Sequence, residues 1–438
     1  MQGGMIFQLV FKAGKGRSVR GTPEWRIMDI FSVSDGLTER VIAKNLIVII
    51  LLEREGPMRF EITRKEGQLC LFAEQAGSKK HLPALWLRER APTRDQIDQR
   101  THQRLINPHE FDDSLCLTEA REEADGLHLT FNDGYQACYD FGWLAAHIDP
   151  PLRLPQKKLW QADLAPLPRF IWAEIQQPDG HMAALQAYLE YGFIILAETP
   201  TEKSSLRKLA SHFGHIRATN FGQTFEVRTH TRPNDLAYQP IALGPHTDNP
   251  YREPTPGIQL LHCLVNDTSG GLSTLVDSLA CAGQLRAEDP QGYQLLADLP
   301  VRFAFDDAKV SIATERPIFA LDPTGQLLGV HYSPRLDWLP LVDEASLKRY
   351  HRARKRLASL FSDAAYELRF RLQPGECMMF DNNRVLHGRT AYDPAEGYRH
   401  LQGCYIDRDG PENLYCRMRR DGIVPRSDML ETPAKEAR

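Results

Sequence analysis

Eight cysteines are spread thinly over 438 residues, at positions 70, 116, 138, 263, 281, 377, 404 and 416, and no two of them make a C-x-x-C pair. Several lie in apolar runs, as in His262-Cys263-Leu264 and Gly403-Cys404-Tyr405. That setting points away from a disulfide framework and toward reduced, buried thiols in a cytoplasmic protein. Long apolar runs are also missing. The longest, Leu46 to Leu52, has seven residues, whereas a membrane span needs roughly 20. Charged Glu53-Arg-Glu-Gly56 follows it instead of a small-residue cleavage site, so neither a membrane anchor nor a signal peptide is expected. Positive charge is not in excess, with 53 Lys and Arg against 57 Asp and Glu. Without a basic stripe the chain has no electrostatic footprint for nucleic acid, which leaves small molecules as the expected partners.

What is present reads as an ordinary globular composition, 42% hydrophobic and 25% charged. Residues 1–57 match nothing around them and end at Gly56-Pro57. They are expected to be a non-native or disordered extension ahead of a natural start at Met58; a genuine extension is the alternative. From there to residue 150 a small β-rich domain is expected. Arg59–Thr63 alternates like a strand, Leu69–Phe72 is its hairpin candidate, and Leu127–Phe131 runs into the turn Asn132-Asp-Gly134. Proline-rich 150–155 reads as a linker. Residues 156–424 mix helices, at 180–191 and 347–361, with short strands at 193–197, 272–276, 301–305, 328–332, 377–380 and 401–406. Many short strands between Gly/Pro turns indicate a sandwich or jelly-roll barrel, whose mouth is a usual place for a small-molecule site. Residues 425–438 read as a polar tail that frays. The fold class is α+β, mainly β.

The chemistry is concentrated in His246-Thr247-Asp248 and in His387, within Arg384-Val-Leu-His-Gly-Arg389. Two imidazoles and one carboxylate hold a mononuclear non-haem Fe(II) on one face and leave the other positions open for a co-substrate and O2. Strand alternation lets residues i and i+2 point at a common centre, so His246 and Asp248 can converge. An H-x-D tripeptide alone is a weak signal, and a polar turn is its plain reading. The third ligand downstream, with Arg399 twelve residues beyond it, makes the combination specific. Arg399 suits the distal carboxylate of 2-oxoglutarate, because a guanidinium meets a carboxylate with two parallel hydrogen bonds. Thr274 is a candidate hydroxyl donor to the same group. A surface salt bridge is the plain reading of Arg399, disfavoured by the apolar strand that follows it.

From about Leu82 onward the chain resembles the γ-butyrobetaine dioxygenase branch of the taurine dioxygenase-like family. The matching text includes Ala84-Leu-Trp-Leu-Arg88, Thr219-Asn-Phe-Gly222, Ala237-Tyr238, His246-Thr-Asp248, Pro256–Cys263, Phe380-Asp-Asn382, Leu386-His-Gly-Arg389 and Arg399–Tyr405. The resemblance implies a distorted double-stranded β-helix (jelly-roll) with a small N-terminal domain, in a homodimer. It also implies Fe(II), 2-oxoglutarate and O2 as requirements, with succinate and CO2 as co-products. His246, Asp248 and His387 fall on the family's iron ligands and Arg399 on its 2-oxoglutarate arginine. One departure stands out. Relatives hold a structural zinc in the N-terminal domain through three cysteines and a histidine, whereas Ala91, Thr93, Gln96 and Tyr135 stand at those places here. A tetrahedral zinc site cannot be built from such side chains. No structural zinc is expected, and an N-terminal domain held by packing alone.

The resemblance further implies a trimethylammonium substrate gripped by aromatic faces, since a quaternary ammonium cannot donate hydrogen bonds. Phe221, Phe225, Tyr238 and Tyr251 are the candidates; core packing is the plain reading of each. Asn249 stands where a family cage tyrosine follows the H-T-D, so the cage is incomplete or rebuilt from Tyr251. For the anionic end of the substrate Arg335 and Arg252 are candidates, with Arg228 and Arg232 behind them. The leading expectation is hydroxylation of γ-butyrobetaine to carnitine, with a trimethylammonio-alkylphosphonate as the close second. A sulfonate such as taurine is a weaker third. A metal-free binding module on the same fold is the alternative of another class, disfavoured by the intact ligand set.

Overall fold

A computed structural model describes residues 58–75, 77–148, 154–228 and 239–430. The expectations for 1–57 and for most of the linker therefore lie outside the described residues, as do Arg232 and Tyr238. The chain divides into two compact units between Pro151 and Leu152.

The N-terminal unit is built on a six-stranded antiparallel sheet. Its first hairpin pairs Arg59–Lys65 with Gln68–Gln75, the partners the sequence suggests, with Thr63 opposite Cys70. Alternation in Gly126–Phe131 sends Leu127, Leu129 and Phe131 into the core and His128 outward. That single-faced pattern is the mark of a sheet with one wet side. The core is closed by the helix Ala84–Glu89 through Leu87 and by the helix Phe141–Ile148 through Leu144.

In the second unit a seven-stranded sheet and a four-stranded sheet share one apolar core. The first runs Phe225–Val227, Arg399–Ile406, Ile258–Asn266, Cys377–Asp381, Phe193–Ala197, Arg169–Ile171, with Ile216–Arg217 beside Arg399–Ile406. The second runs Leu243–His246, Val385–Arg389, Ser273–Asp277, Glu367–Phe370. Leu275, Val385 and Leu368 of the small sheet meet Phe193, Met378 and Leu401 of the large one. The unbroken apolar run Phe193-Ile-Ile-Leu196 follows from this layering. Phe193 and Ile195 face the small sheet, while Ile194 and Leu196 face the helix Pro178–Tyr191 on the other side. A strand buried on both faces has no use for polar alternation. Three further helices, Ser278–Glu288, Pro290–Asp298 and Glu344–Phe361, gather a second core around Phe303, Phe319 and Tyr350. This is the jelly-roll arrangement expected of the catalytic region.

Two expectations need correction. Residues 426–429 are not a loose tail, because Ser427–Leu430 is a short helix, Met429 packs on the core and Arg426 reaches Glu174 at 3.2 Å. The N-terminal unit is also not held by packing alone, since a buried polar cluster forms around Arg88. Its guanidinium donates to Gln96 and Asp133, each at 2.8 Å, and lies over the Tyr135 ring at 3.7 Å. Tyr135 in turn hydrogen-bonds Thr93 and donates to Asp95 at 2.9 Å.

Candidate active site

His246 ends its strand and stands directly opposite His387 on the neighbouring antiparallel strand. The two rings lie 4.4 Å apart, centroid to centroid. Gly388 permits this approach, because a Cβ there would sit 2.5 Å from the Leu243 carbonyl oxygen and 2.8 Å from Thr274 Oγ1. Val385–Arg389 is anchored from below by Arg384, which pairs with Asp277 at 3.0 Å; both side chains are sealed from solvent. An ion pair of this kind resists displacement, since either charge left alone in the interior is heavily penalised.

Asp248 lies past the strand end, so strand alternation is not what aims it. Its backbone is clamped instead by Asn382, which accepts from the Asp248 N–H at 2.7 Å and donates to the Asp248 carbonyl at 3.0 Å. Thr247 fixes the tripeptide from its middle, donating its N–H to the Tyr332 carbonyl at 2.7 Å and accepting the Tyr332 N–H at 2.9 Å. The result brings Asp248 Oδ1 to 3.4 Å from His246 Nε2 and 3.9 Å from His387 Nε2. Asp248 Oδ2 accepts the Tyr405 hydroxyl at 2.7 Å.

Protonation suits a metal. Burial alone would raise the Asp248 pKa, but His387, His246 and the Tyr405 hydroxyl outweigh it and hold the carboxyl well below its usual range. The His387 imidazole is pushed down to about 3, chiefly by burial and then by His246, so it is neutral at working pH. His246 Nδ1 lies 2.9 Å from the Gly244 carbonyl. That contact fixes the proton on Nδ1 and leaves the Nε2 lone pair toward Asp248, the tautomer a metal-binding histidine needs. Two imidazoles and an anionic carboxylate converging within 4.8 Å are a fitting donor set for Fe(II).

Two donors nearby have no partner among the described residues. Thr274 Oγ1 and Arg399 Nε are both buried and unbonded. Arg399 donates from its Nη2 to the Gly271 carbonyl at 3.2 Å, and rests over the Tyr392 ring. Buried donors left unmade are costly unless a ligand completes them, and a carboxylate is of the right chemistry to do so.

The expected substrate residues separate. Phe221 and Phe225 are 6.4 Å apart, and Phe225 packs against Tyr405 at 5.2 Å. Arg335 is exposed, yet near enough to influence His387. Asn249 is buried at φ 52°, with its Oδ1 accepting the Tyr251 hydroxyl at 2.7 Å. Tyr251 is only 2% exposed and stacks on Phe305, so its ring is core material rather than an open face. Arg252 binds Asn220, and Arg228 lies outside on Tyr398. Tyr405 is the site residue that reading the sequence misses. Its signal is parity: it lies six places after Arg399 on one strand, so both side chains leave the same face.

The sequence profile of the Taurine catabolism dioxygenase TauD, TfdA family matches residues 155–405. A γ-butyrobetaine dioxygenase of Pseudomonas sp. (strain AK-1) is 35% identical over 334 residues, covering 74% of this chain and 87% of that protein. A trimethyllysine dioxygenase of Meyerozyma guilliermondii is 28% identical over 373 residues, 79% and 92% of the two chains. Among solved structures, a taurine dioxygenase from Burkholderia xenovorans superposes with a TM-score of 0.41 at 16% identity, over 54% of this chain and 89% of that one. The chain belongs to the TauD/TfdA family and is an Fe(II)- and 2-oxoglutarate-dependent dioxygenase.

Proposed function

We propose that this enzyme hydroxylates an unactivated C–H bond in a small trimethylammonium zwitterion, with γ-butyrobetaine, giving carnitine, as the substrate. His246, Asp248 and His387 would hold the iron, and Arg399 with Thr274 the distal carboxylate of 2-oxoglutarate. Iron and co-substrate together supply the oxidising power. The protein's own part is to orient the substrate carbon and keep water out. Asn382 and Tyr405 keep Asp248 aimed, while Phe225, Phe221 and Tyr405 offer aromatic surface for the ammonium.

One observation carries the reading: the Phe225–Tyr405 wall begins at a residue bonded to an iron ligand. A cation placed against it lies beside the metal without needing a hydrogen-bond acceptor. The relatives support the same class, since their names specify γ-butyrobetaine and trimethyllysine. Arg335 is the candidate for the anionic end, and a phosphonate in place of the carboxylate is the second reading, because a guanidinium suits either.

The test is succinate release from enzyme loaded anaerobically with Fe(II) and 2-oxoglutarate and then given air. It is run with γ-butyrobetaine, trimethyllysine or 2-(trimethylammonio)ethylphosphonate. One carnitine per succinate supports the proposal. Coupled turnover only with trimethyllysine or only with the phosphonate moves the substrate. No stimulated succinate with any of the three overturns the trimethylammonium reading.

A further inference from the structure

A second convergence of metal donors lies in the N-terminal unit, on the solvent face of its sheet. His128 and Cys138 are directly paired across Gly126–Phe131 and Gln136–Tyr139. Asp125 occupies the turn between Leu117–Glu123 and Gly126–Phe131 and folds back over that pair. Its Oδ1 lies 2.8 Å from His128 Nε2, and its Oδ2 lies 3.8 Å from Cys138 Sγ. Glu123 Oε2 is 3.8 Å from the same His128 nitrogen. One donor atom from each of Asp125, His128 and Cys138 falls within 4.8 Å of the others.

The turn is built to hold this shape. Gly126 has φ +148°, and a Cβ on it would sit 2.3 Å from the Tyr139 carbonyl oxygen, so a side chain would force the turn away from the strand bearing Cys138. The surrounding charge is also one-sided. Glu123, Asp125 and Asp140 all bear on the Cys138 thiol. The nearby cation, Arg121, pairs with Glu119. An Asp–His hydrogen bond alone would account for the closeness of Asp125 to His128. It does not account for a thiol closing on the same point.

We propose that Asp125, His128 and Cys138, with water completing the shell, form a binding site for a divalent transition metal of the zinc type. Imidazole, thiolate and carboxylate suit Zn(II), and edges of a tetrahedral site run about 3.3–3.8 Å from its metal–ligand lengths. The Asp125–Cys138 separation of 3.8 Å falls in that range. The shorter Asp125–His128 hydrogen bond opens slightly as its proton leaves. Binding releases the thiol proton to solvent and ties a turn and two strands together at one point. The donors are distinct from Ala91, Thr93, Gln96 and Tyr135.

Cobalt(II) titration of the full-length chain under reducing, anaerobic conditions tests the site. A thiolate-to-Co(II) charge-transfer band reports sulfur ligation, which the His246/Asp248/His387 centre cannot give. The band is expected in the wild type and in Asp248→Ala, to vanish in Cys138→Ser, and to need at least tenfold more metal in His128→Gln. Zn(II) is expected to bleach it at one equivalent. No band in the wild type, or a band that persists in Cys138→Ser, overturns the proposal. Circular dichroism of Cys138→Ser, a replacement at a solvent-facing position, separates lost ligation from lost fold.

Discussion

At the catalytic centre, every donor a mononuclear iron needs is in place; at the positions where the resemblance puts structural zinc, none is. Yet both places are organised. Thr93, Gln96 and Tyr135 still come together, now through hydrogen bonds and the Arg88 guanidinium stacked on Tyr135. The difference teaches what each metal is for. A structural ion contributes cross-linking, which a buried guanidinium bonded to two side chains can also supply. Redox chemistry at iron has no side-chain substitute, so its ligands have no comparable freedom.

The sharpest break of the comparison comes from removing one donor. Asp248→Ala is expected to reduce substrate-coupled succinate release by more than about a thousandfold, the metal being the source of the chemistry, with unchanged circular dichroism. Undiminished turnover would remove the iron assignment.

Acid should separate the two units next. His181 is pushed down to about 3 and His262 and His331 to about 4, in each case mainly by burial. Below the ordinary histidine pKa of about 6.5 the unfolded chain takes up protons that these folded residues refuse. Stability of the second unit therefore falls as pH drops from about 6.5 toward 4, by up to about 1 kcal/mol per histidine for each pH unit. In the N-terminal unit His128 is shifted the other way, upward, by its hydrogen bond to Asp125. Its contribution is present below the ordinary histidine pKa and lost as pH rises through the raised one. Hydrogen exchange at pH 7 and pH 5, resolved by segment, should show faster opening at pH 5 in 178–196 and 258–266 than in 117–139.

Arg88→Met should destabilise the N-terminal unit by about 2–4 kcal/mol, because buried partners of a charged donor are left unmade. Fe(II) affinity should not change. If iron binding fell with it, the two centres would not be independent. The smallest effect is expected from Tyr405→Phe, which keeps the ring and removes the hydrogen bond to Asp248. Fe(II) affinity should weaken roughly 10–100-fold, the usual result of losing a group that orients a ligand. A change under twofold would make the hydroxyl's contact with Asp248 incidental.

How much can be read from the chain alone differs by type of signal. Phe193–Ala197 is legible as a strand because burial on two faces writes an unbroken apolar run. The iron ligands are legible because three donors of the right types, followed by a well-spaced arginine, seldom coincide by chance. Asp248's orientation is not, since it depends on Asn382, 134 positions away. The Arg88 cluster escapes because Thr, Gln, Tyr and Asp carry no motif until the sheet gathers them. The setting of Tyr251 escapes for the same reason, since Phe305, on which its ring stacks, is far off in sequence.

Tyr405 carries a consequence for how this enzyme can change. One end of the side chain holds an iron ligand and its ring forms part of the aromatic wall. Any mutation there that retunes substrate choice also loosens the metal, so selection cannot explore the two separately. If the proposed function holds, drift toward new substrates falls to Phe221 and Phe225, whose ring contacts are with other aromatics rather than with an iron ligand. A library randomised at those two positions should yield active variants with altered preference, whereas one randomised at Tyr405 should return mostly proteins poor in iron.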